Sequence, residues 1–189
     1  MSPKDLCTLP FLDRMIKAGI TVLKIEGRAR GPEYVKMVVS IYNEALDAIF
    51  DGGFSEEKIH AWEDKLKTVF NRGFWDGYYL GKKLGEWSGV YGSVATKRKQ
   101  YLGKCTNFFA KQNMAEFTMA SGEVSVGDEV LIIGETTGVI ELTVPELRVD
   151  LKPTEKAVKG EKLSLKLDEL IRRGDKLYKL VAAEPDLMQ

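Results

Sequence analysis

Up to residue 70 the apolar positions recur every three or four residues, and beyond residue 99 they fall into short runs separated by turns. Leu9, Leu12, Met15 and Ile16 share one helical face, with Pro10 suited to the first turn of that helix and Gly19 to its stop. Residues 21–25 are rich in β-branched and aliphatic side chains and predict a short strand that Gly27 breaks. Pro32, at a first helical position, opens a helix through about residue 50. Its broad apolar face carries Val35, Val38, Ile41, Tyr42, Ala45 and Ile49, and Gly52-Gly53 stop it. Ser55 is placed to cap the next helix, with Glu56 and Glu57 in its first turn and Ile59, Trp62, Leu66 and Val69 as its buried stripe.

Residues 71–92 break this pattern. Glycines at positions 73, 77, 81, 85, 89 and 92 alternate with aromatic residues that include Phe74, Trp75, Tyr78 and Trp87. So much glycine opposes a regular helix, and the aromatic rings need a surface to pack on. An irregular strap is expected, lying over the preceding domain or between domains. Past residue 99 the pattern predicts strands at 100–109, 115–119, 129–133, 138–144, 162–167 and 176–181. Gly127-Asp128 and Gly174-Asp175 place turns directly before strands, and residues 134–138 read as a hairpin connection. These lengths and this punctuation predict a small closed all-β barrel. The expected division is residues 1–70 as helices with one strand, 71–98 as the strap, 99–182 as the barrel and 183–189 as a tail.

The chain has 189 residues, 44% of them hydrophobic, enough for one large or two small cores. Its 28 basic residues balance 28 acidic ones, which argues against a strongly basic nucleic-acid domain and leaves room for a local patch. No stretch has the length of a membrane span and no signal pattern opens the chain, so a cytoplasmic protein without a membrane partner is expected. Cys7 and Cys105 lie far apart without CxxC spacing, which fits a reducing compartment. His60 is the single histidine, so this chain by itself has neither a His-based triad nor a multi-His metal site.

The candidate chemistry gathers at Glu26, Gly27 and Arg28, just past the carboxyl end of the predicted strand, where α/β barrels and open α/β sheets collect ligand-binding groups. Arg28 would clamp a carboxylate or phosphate and Glu26 would serve as acid, base or orienting partner; a structural ion pair is the plainer reading. Lys4 and Asp5 read as pocket residues or as a helix cap. A second group, Lys97, Arg98, Lys99 and Lys104 with Tyr101, combines cations with an aromatic ring as RNA binding requires, although a solvated charged connector has the same composition. A lone strand between helices forms no sheet, so further elements are expected before Met1.

Ser2-Pro3-Lys4-Asp5-Leu6-Cys7, Lys24-Ile25-Glu26-Gly27-Arg28 and Pro32-Glu33-Tyr34-Val35 resemble the collagenase-like peptidases of family U32. The likeness continues through Asn71-Arg72-Gly73-Phe74-Trp75-Asp76-Gly77-Tyr78 and Tyr101-Leu102-Gly103. The second half is also similar to the second domain of elongation factor Tu. The resemblance implies an α+β chain: a remnant of a TIM-like catalytic barrel followed by a small all-β, elongation-factor-Tu-like barrel. It implies that family members are longer, so this chain would work with a missing N-terminal barrel or a partner subunit. It implies peptidase activity for some members. For others it implies RNA modification, either prephenate-dependent hydroxylation of a tRNA wobble uridine or hydroxylation of ribosomal RNA. Relatives in ubiquinone synthesis hold an iron–sulfur cluster through four cysteines, one at the position resembling Cys7. Carried over, Glu26 and Arg28 become catalytic, Lys4, Asp5, Gly27 and Tyr34 substrate-binding, and Cys7 one cluster ligand in a full-length protein. One thiolate does not hold a cluster, and Cys7 as a small buried hydrophobe is the alternative.

Three functions follow: a part of an RNA-hydroxylating protein, inactive alone, whose barrel docks tRNA or another RNA; the corresponding part of a peptidase; or a stand-alone binding module without chemistry. The first is preferred, because no protease nucleophile–base pair is visible in this chain.

Overall fold

A computed structural model of the chain describes residues 2–89 and 91–183. They divide into two compact units, one running up to Thr96 with Ala183 added, the other Lys97–Ala182.

The first unit is mainly helical. Strand β1 (Asp5–Leu6) leads through a 3-10 turn (Leu9–Phe11) into helix α1 (Leu12–Lys17), and Gly19 ends it at φ +90°. Helix α2 (Pro32–Phe50) starts at its proline and stops at Gly52, which takes φ +75°. There the Gly53 amide donates back to the Ala48 carbonyl at 2.8 Å, so a left-handed glycine satisfies a helix-end acceptor. In helix α3 (Glu56–Leu66) the Ser55 hydroxyl accepts from the Lys58 amide, the cap its side chain predicts. Leu9, Leu12, Ile41, Ala45, Trp62 and Leu66 meet in one core. Strand β2 (Phe74–Trp75) then pairs in parallel with β1.

That pairing corrects the sequence expectation of a strand at residues 21–25. Among the described residues this stretch is irregular, and the parallel ladder forms elsewhere, between segments 69 positions apart in register (Asp5 with Phe74). β-propensity makes a strand only where a neighbour supplies the ladder, and none lies beside residues 21–25 here. Among its described residues the unit consists of helices with a two-residue parallel ladder. Most of 71–96 is irregular, as expected. Its chain is tied to the N-terminal segment by Ser88 N–H to Ser2 O at 2.9 Å and Lys4 N–H to Glu86 O at 3.1 Å.

The second unit contains strands β3 (Lys97–Phe109), β4 (Met114–Met119), β5 (Glu123–Ser125), β6 (Glu129–Gly134), β7 (Gly138–Thr143), β8 (Leu147–Val149), β9 (Lys152–Thr154), β10 (Lys156–Val158), β11 (Lys162–Lys166) and β12 (Lys176–Ala182). Eight of them make one antiparallel sheet ordered β7-β6-β12-β3-β4-β11-β8-β9, and β5 pairs with β10 as a separate ribbon. Leu102, Phe117, Val124, Ile132, Ala157 and Leu163, from six strands, share a single core. The expected closed barrel is thus a large antiparallel sheet and a ribbon around one core, with β7 and β9 as edges among the described residues. The six long strands follow their apolar runs. The four strands that the pattern leaves out, β5, β8, β9 and β10, are three residues each, too short for a period to register. Pro153 in β9 sits on an edge, where a missing N–H costs no ladder bond.

Candidate functional site

In the first unit the polar groups converge on Asp5. Its amide donates to the Gly73 carbonyl at 2.8 Å, fixing the side chain beside the α2 entry loop. The Asp5 carboxylate accepts from Arg30 Nη2 at 2.9 Å and from the Arg72 amide at 2.9 Å. The Arg30 guanidinium also lies 4.2 Å from the Phe70 ring centre and 5.5 Å from that of Tyr34. With side-chain exposures of 11% and 20%, Arg30 and Asp5 form a partly desolvated pair, stronger than a surface bridge. Burial pushes the Tyr34 phenol up, reinforced by the Asp5 charge and opposed by Arg30. Lys4 lies apart from this group and holds Glu86 at 2.7 Å; Lys82 binds the same carboxylate. Between them the two ammonium groups hold the Glu86 carboxyl down at about 2.

Glu26 and Arg28 are not part of this cluster. Arg28 Nε stands 3.9 Å from Glu26 Oε1, and the two side chains are 88% and 61% exposed. Glu26 instead accepts from the Arg28 amide at 2.8 Å, the geometry of a local turn. Gly27 is packed by Val35, whose Cγ2 would lie 2.8 Å from a Cβ added there. Of the expected site residues, the structure joins Asp5 and Tyr34 through Arg30 and leaves Glu26 and Arg28 on an exposed loop. Arg30 reads from the sequence as a helper of Glu26 and Arg28 rather than a partner of Asp5, and Phe70 and Arg72 were missed, because nothing in spacing connects positions 5, 30 and 70.

Cys7 is buried in the helical core. Burial raises its thiol pKa, the Glu63 charge adds to the rise, and the Leu9 amide and Tyr42 hydroxyl oppose it. The same burial pushes Tyr42 up to about 12, and its hydroxyl accepts from the Thr8 amide at 3.1 Å. Cys105 lies in the core of the second unit. Among the described residues no three His, Cys, Asp or Glu side chains come together to hold a metal ion. Cys7 and Cys105 are each the one cysteine in the core of their unit, and one thiol by itself does not hold an iron–sulfur cluster. His60 is exposed on α3 with Nδ1 3.5 Å from Glu63 Oε2.

The basic group of the second unit lies along β3. Lys97 pairs with Glu129, and Arg98 is exposed. The Lys99 ammonium sits 5.3 Å from the Tyr178 ring centre, and Tyr178 meets Tyr101 edge-to-face at 5.6 Å. Tyr101 and Tyr178 are direct cross-strand partners, so cation and rings share one face. Lys104 lies further along β3, beside a cleft of about 510 Å³. No helix among the described residues is long and apolar enough to cross a membrane.

Residues 1–89 match the model of peptidase family U32. A collagenase of Porphyromonas gingivalis is 53% identical over 95% of this chain, which covers 43% of that protein's length. The tRNA hydroxylation protein P of Haemophilus influenzae is 28% identical over 69% of this chain and 28% of its own. The solved C-terminal domain of a Geobacillus thermoleovorans U32 peptidase aligns with 42% of this chain and 91% of that domain, at 12% identity and a TM-score of 0.40. The chain thus spans about half the length or less of the curated relatives it matches. In its first 89 residues the chain is similar to peptidase family U32, and along nearly its whole length to collagenase-like relatives.

Proposed function

We propose that this chain is the part of a U32 protein that docks RNA for hydroxylation, with tRNA and its wobble uridine as substrate and prephenate as the required metabolite. The second unit holds the RNA, and the Asp5–Arg30–Tyr34 cluster belongs to a site that segments outside this chain complete. The observation that carries the reading is the Lys99–Tyr178–Tyr101 arrangement on one sheet face, where a cation and two rings offer phosphate and base contacts together. Relatives named as tRNA hydroxylation proteins support it. Labelled tRNA titrated at low and moderate salt should bind, and binding should weaken as salt rises. Loss of affinity on combining Lys97→Glu with Arg98→Glu is the expected result; no binding at low salt sinks the reading.

A second reading, a portion of a collagenase-like peptidase, is favoured by the 53% identity to a protein named collagenase. Gelatin hydrolysis by contaminant-free protein, lost on Glu26→Gln, would select it over RNA hydroxylation.

A further inference from the structure

Residues directly opposite each other on paired strands point to the same face of a sheet. Lys176 of β12 lies opposite Lys104 of β3, Lys104 opposite Thr118 of β4, and Thr118 opposite Lys162 of β11. Their strand neighbours Leu177, Cys105, Phe117 and Leu163 are buried in the core, so the row faces outward. Three lysines therefore stand in one line across four adjacent strands, which are spaced about 4.8 Å apart.

Nothing structural accounts for this line. Like charges directly opposite each other destabilise a sheet, and these four strands are interior ones, so edge protection does not call for lysine. Other lysines of the unit are neutralised: Lys97 by Glu129, Lys156 by Glu123 at 2.6 Å and Lys179 by Asp128 at 2.6 Å. The side-chain ammonium groups of Lys104, Lys162 and Lys176 have no ion pair or hydrogen bond among the described residues. On one side of the row stand Tyr101 and Tyr178. On the other, a β-bulge between Cys105 and Asn107 adjoins the 510 Å³ cleft, lined by Lys104, Asn107, Glu116 and Arg173. There Arg173 Nε donates to the Thr106 carbonyl at 2.8 Å, and the Thr106 hydroxyl donates to Glu116 Oε1 at 2.7 Å.

We propose that this outer face binds single-stranded RNA, the lysine row taking backbone phosphates and the cleft taking one nucleotide. The inference rests on the RNA-docking reading and names its site. A polyanion supplies the charge the row lacks, and unpaired bases supply faces for the tyrosines. In the cleft, the Glu116 carboxylate accepts from a ribose 2′-hydroxyl or a base amino group while Lys104 and Arg173 hold phosphate.

The test is anisotropy of a fluorescein-labelled single-stranded RNA of about a dozen nucleotides, titrated with the full chain over a range of KCl concentrations. Each phosphate neutralised on a single strand contributes about 0.7 to the slope of log affinity against log salt, so combining Lys104→Ala, Lys162→Ala and Lys176→Ala should lower the slope by about 2. Lys156→Ala should leave it unchanged, and circular dichroism verifies that each variant is folded. A Glu116→Ala variant, which removes the acceptor for the ribose 2′-hydroxyl, should lose preference for RNA over DNA of the same sequence. An unchanged slope in the triple variant, with binding still lost on Lys97→Glu and Arg98→Glu, overturns the lysine row and leaves RNA docking standing. Equal affinity for duplex RNA also overturns it. No RNA binding at any salt overturns both.

Discussion

Arg30 reaches back across 25 positions to place Nη2 2.9 Å from Asp5 Oδ1, with its guanidinium plane 4.2 Å from the Phe70 ring centre. The pair ties the entry of α2 to the N-terminal strand, and the Arg72 amide adds the β2 side to the same carboxylate. Replacing Asp5 by alanine leaves a partly buried guanidinium and an amide without an acceptor. The expected loss is about 2 kcal/mol. Trp62, Trp75 and Trp87, the three tryptophans, all lie in this unit, so urea unfolding followed by tryptophan fluorescence reads it directly. An unchanged midpoint would mean the pair contributes nothing to stability.

Glu86 gives an acid-side prediction. Lys4 and Lys82 hold its carboxyl at about 2, below the ordinary 4.5. A depressed carboxylate contributes stability above its unfolded pKa, and that contribution is lost as pH falls from about 4.5 towards 2. The attachment of the strap should loosen in that window, seen as a change in Trp87 emission. Glu86→Gln should remove the pH step, and high salt should shrink it because the charges are near the surface. A step of equal size in Glu86→Gln would assign the transition to other carboxylates.

Tyr42 gives the alkaline counterpart. Its phenol is raised from 10 to about 12, so the folded unit resists ionisation that the unfolded chain permits. The contribution is complete below pH 10 and is lost as pH rises through about 12, an effect of at most about 3 kcal/mol. Stability measured between those limits should fall more steeply in the parent protein than in Tyr42→Phe. Parallel curves would show that Tyr42 does not titrate late.

Both thiols should be inert in the folded protein. Burial raises Cys7, and burial with the nearby Asp175 charge raises Cys105 to about 11. Iodoacetamide followed by mass spectrometry should label neither near neutral pH and both in denaturant. Rapid labelling of Cys7 in the native protein would show a reachable thiolate, the condition a metal ligand needs.

Gly103→Ala should destabilise the second unit by about 1–3 kcal/mol, because a Cβ there overlaps the Thr118 carbonyl of the paired strand. The far-UV circular dichroism transition reads this change. A wild-type melting curve would mean that β3 and β4 part without cost.

Much of the architecture was legible because its causes are local. Pro32, Gly52 and Ser55 act within one turn of the helix ends they define, and the six long strands carry apolar runs long enough to show a period. The four three-residue strands carry no such signal. Residues 21–25 carried a misleading one, since their propensity for strand had no partner to pair with. The candidate sites divide in the same way. A carboxylate, a glycine and a guanidinium stand out at positions 26–28 as a motif, yet the folded chain leaves them on an exposed turn. It assembles Asp5, Arg30 with Tyr34, and Phe70 from three separate segments.

The sequence by itself determined the helical and strand halves, the absence of any histidine beyond His60 and the family signature, because composition and short-range spacing carry all of these. Only tertiary structure decided which polar groups meet. Arg30, at the entry of α2, meets Asp5 only when the chain folds back on itself, and Lys176, Lys104 and Lys162 align because strand register sets residues far apart in the chain side by side. Register is fixed by burying one face of each strand, a property of the assembled sheet that no single segment contains.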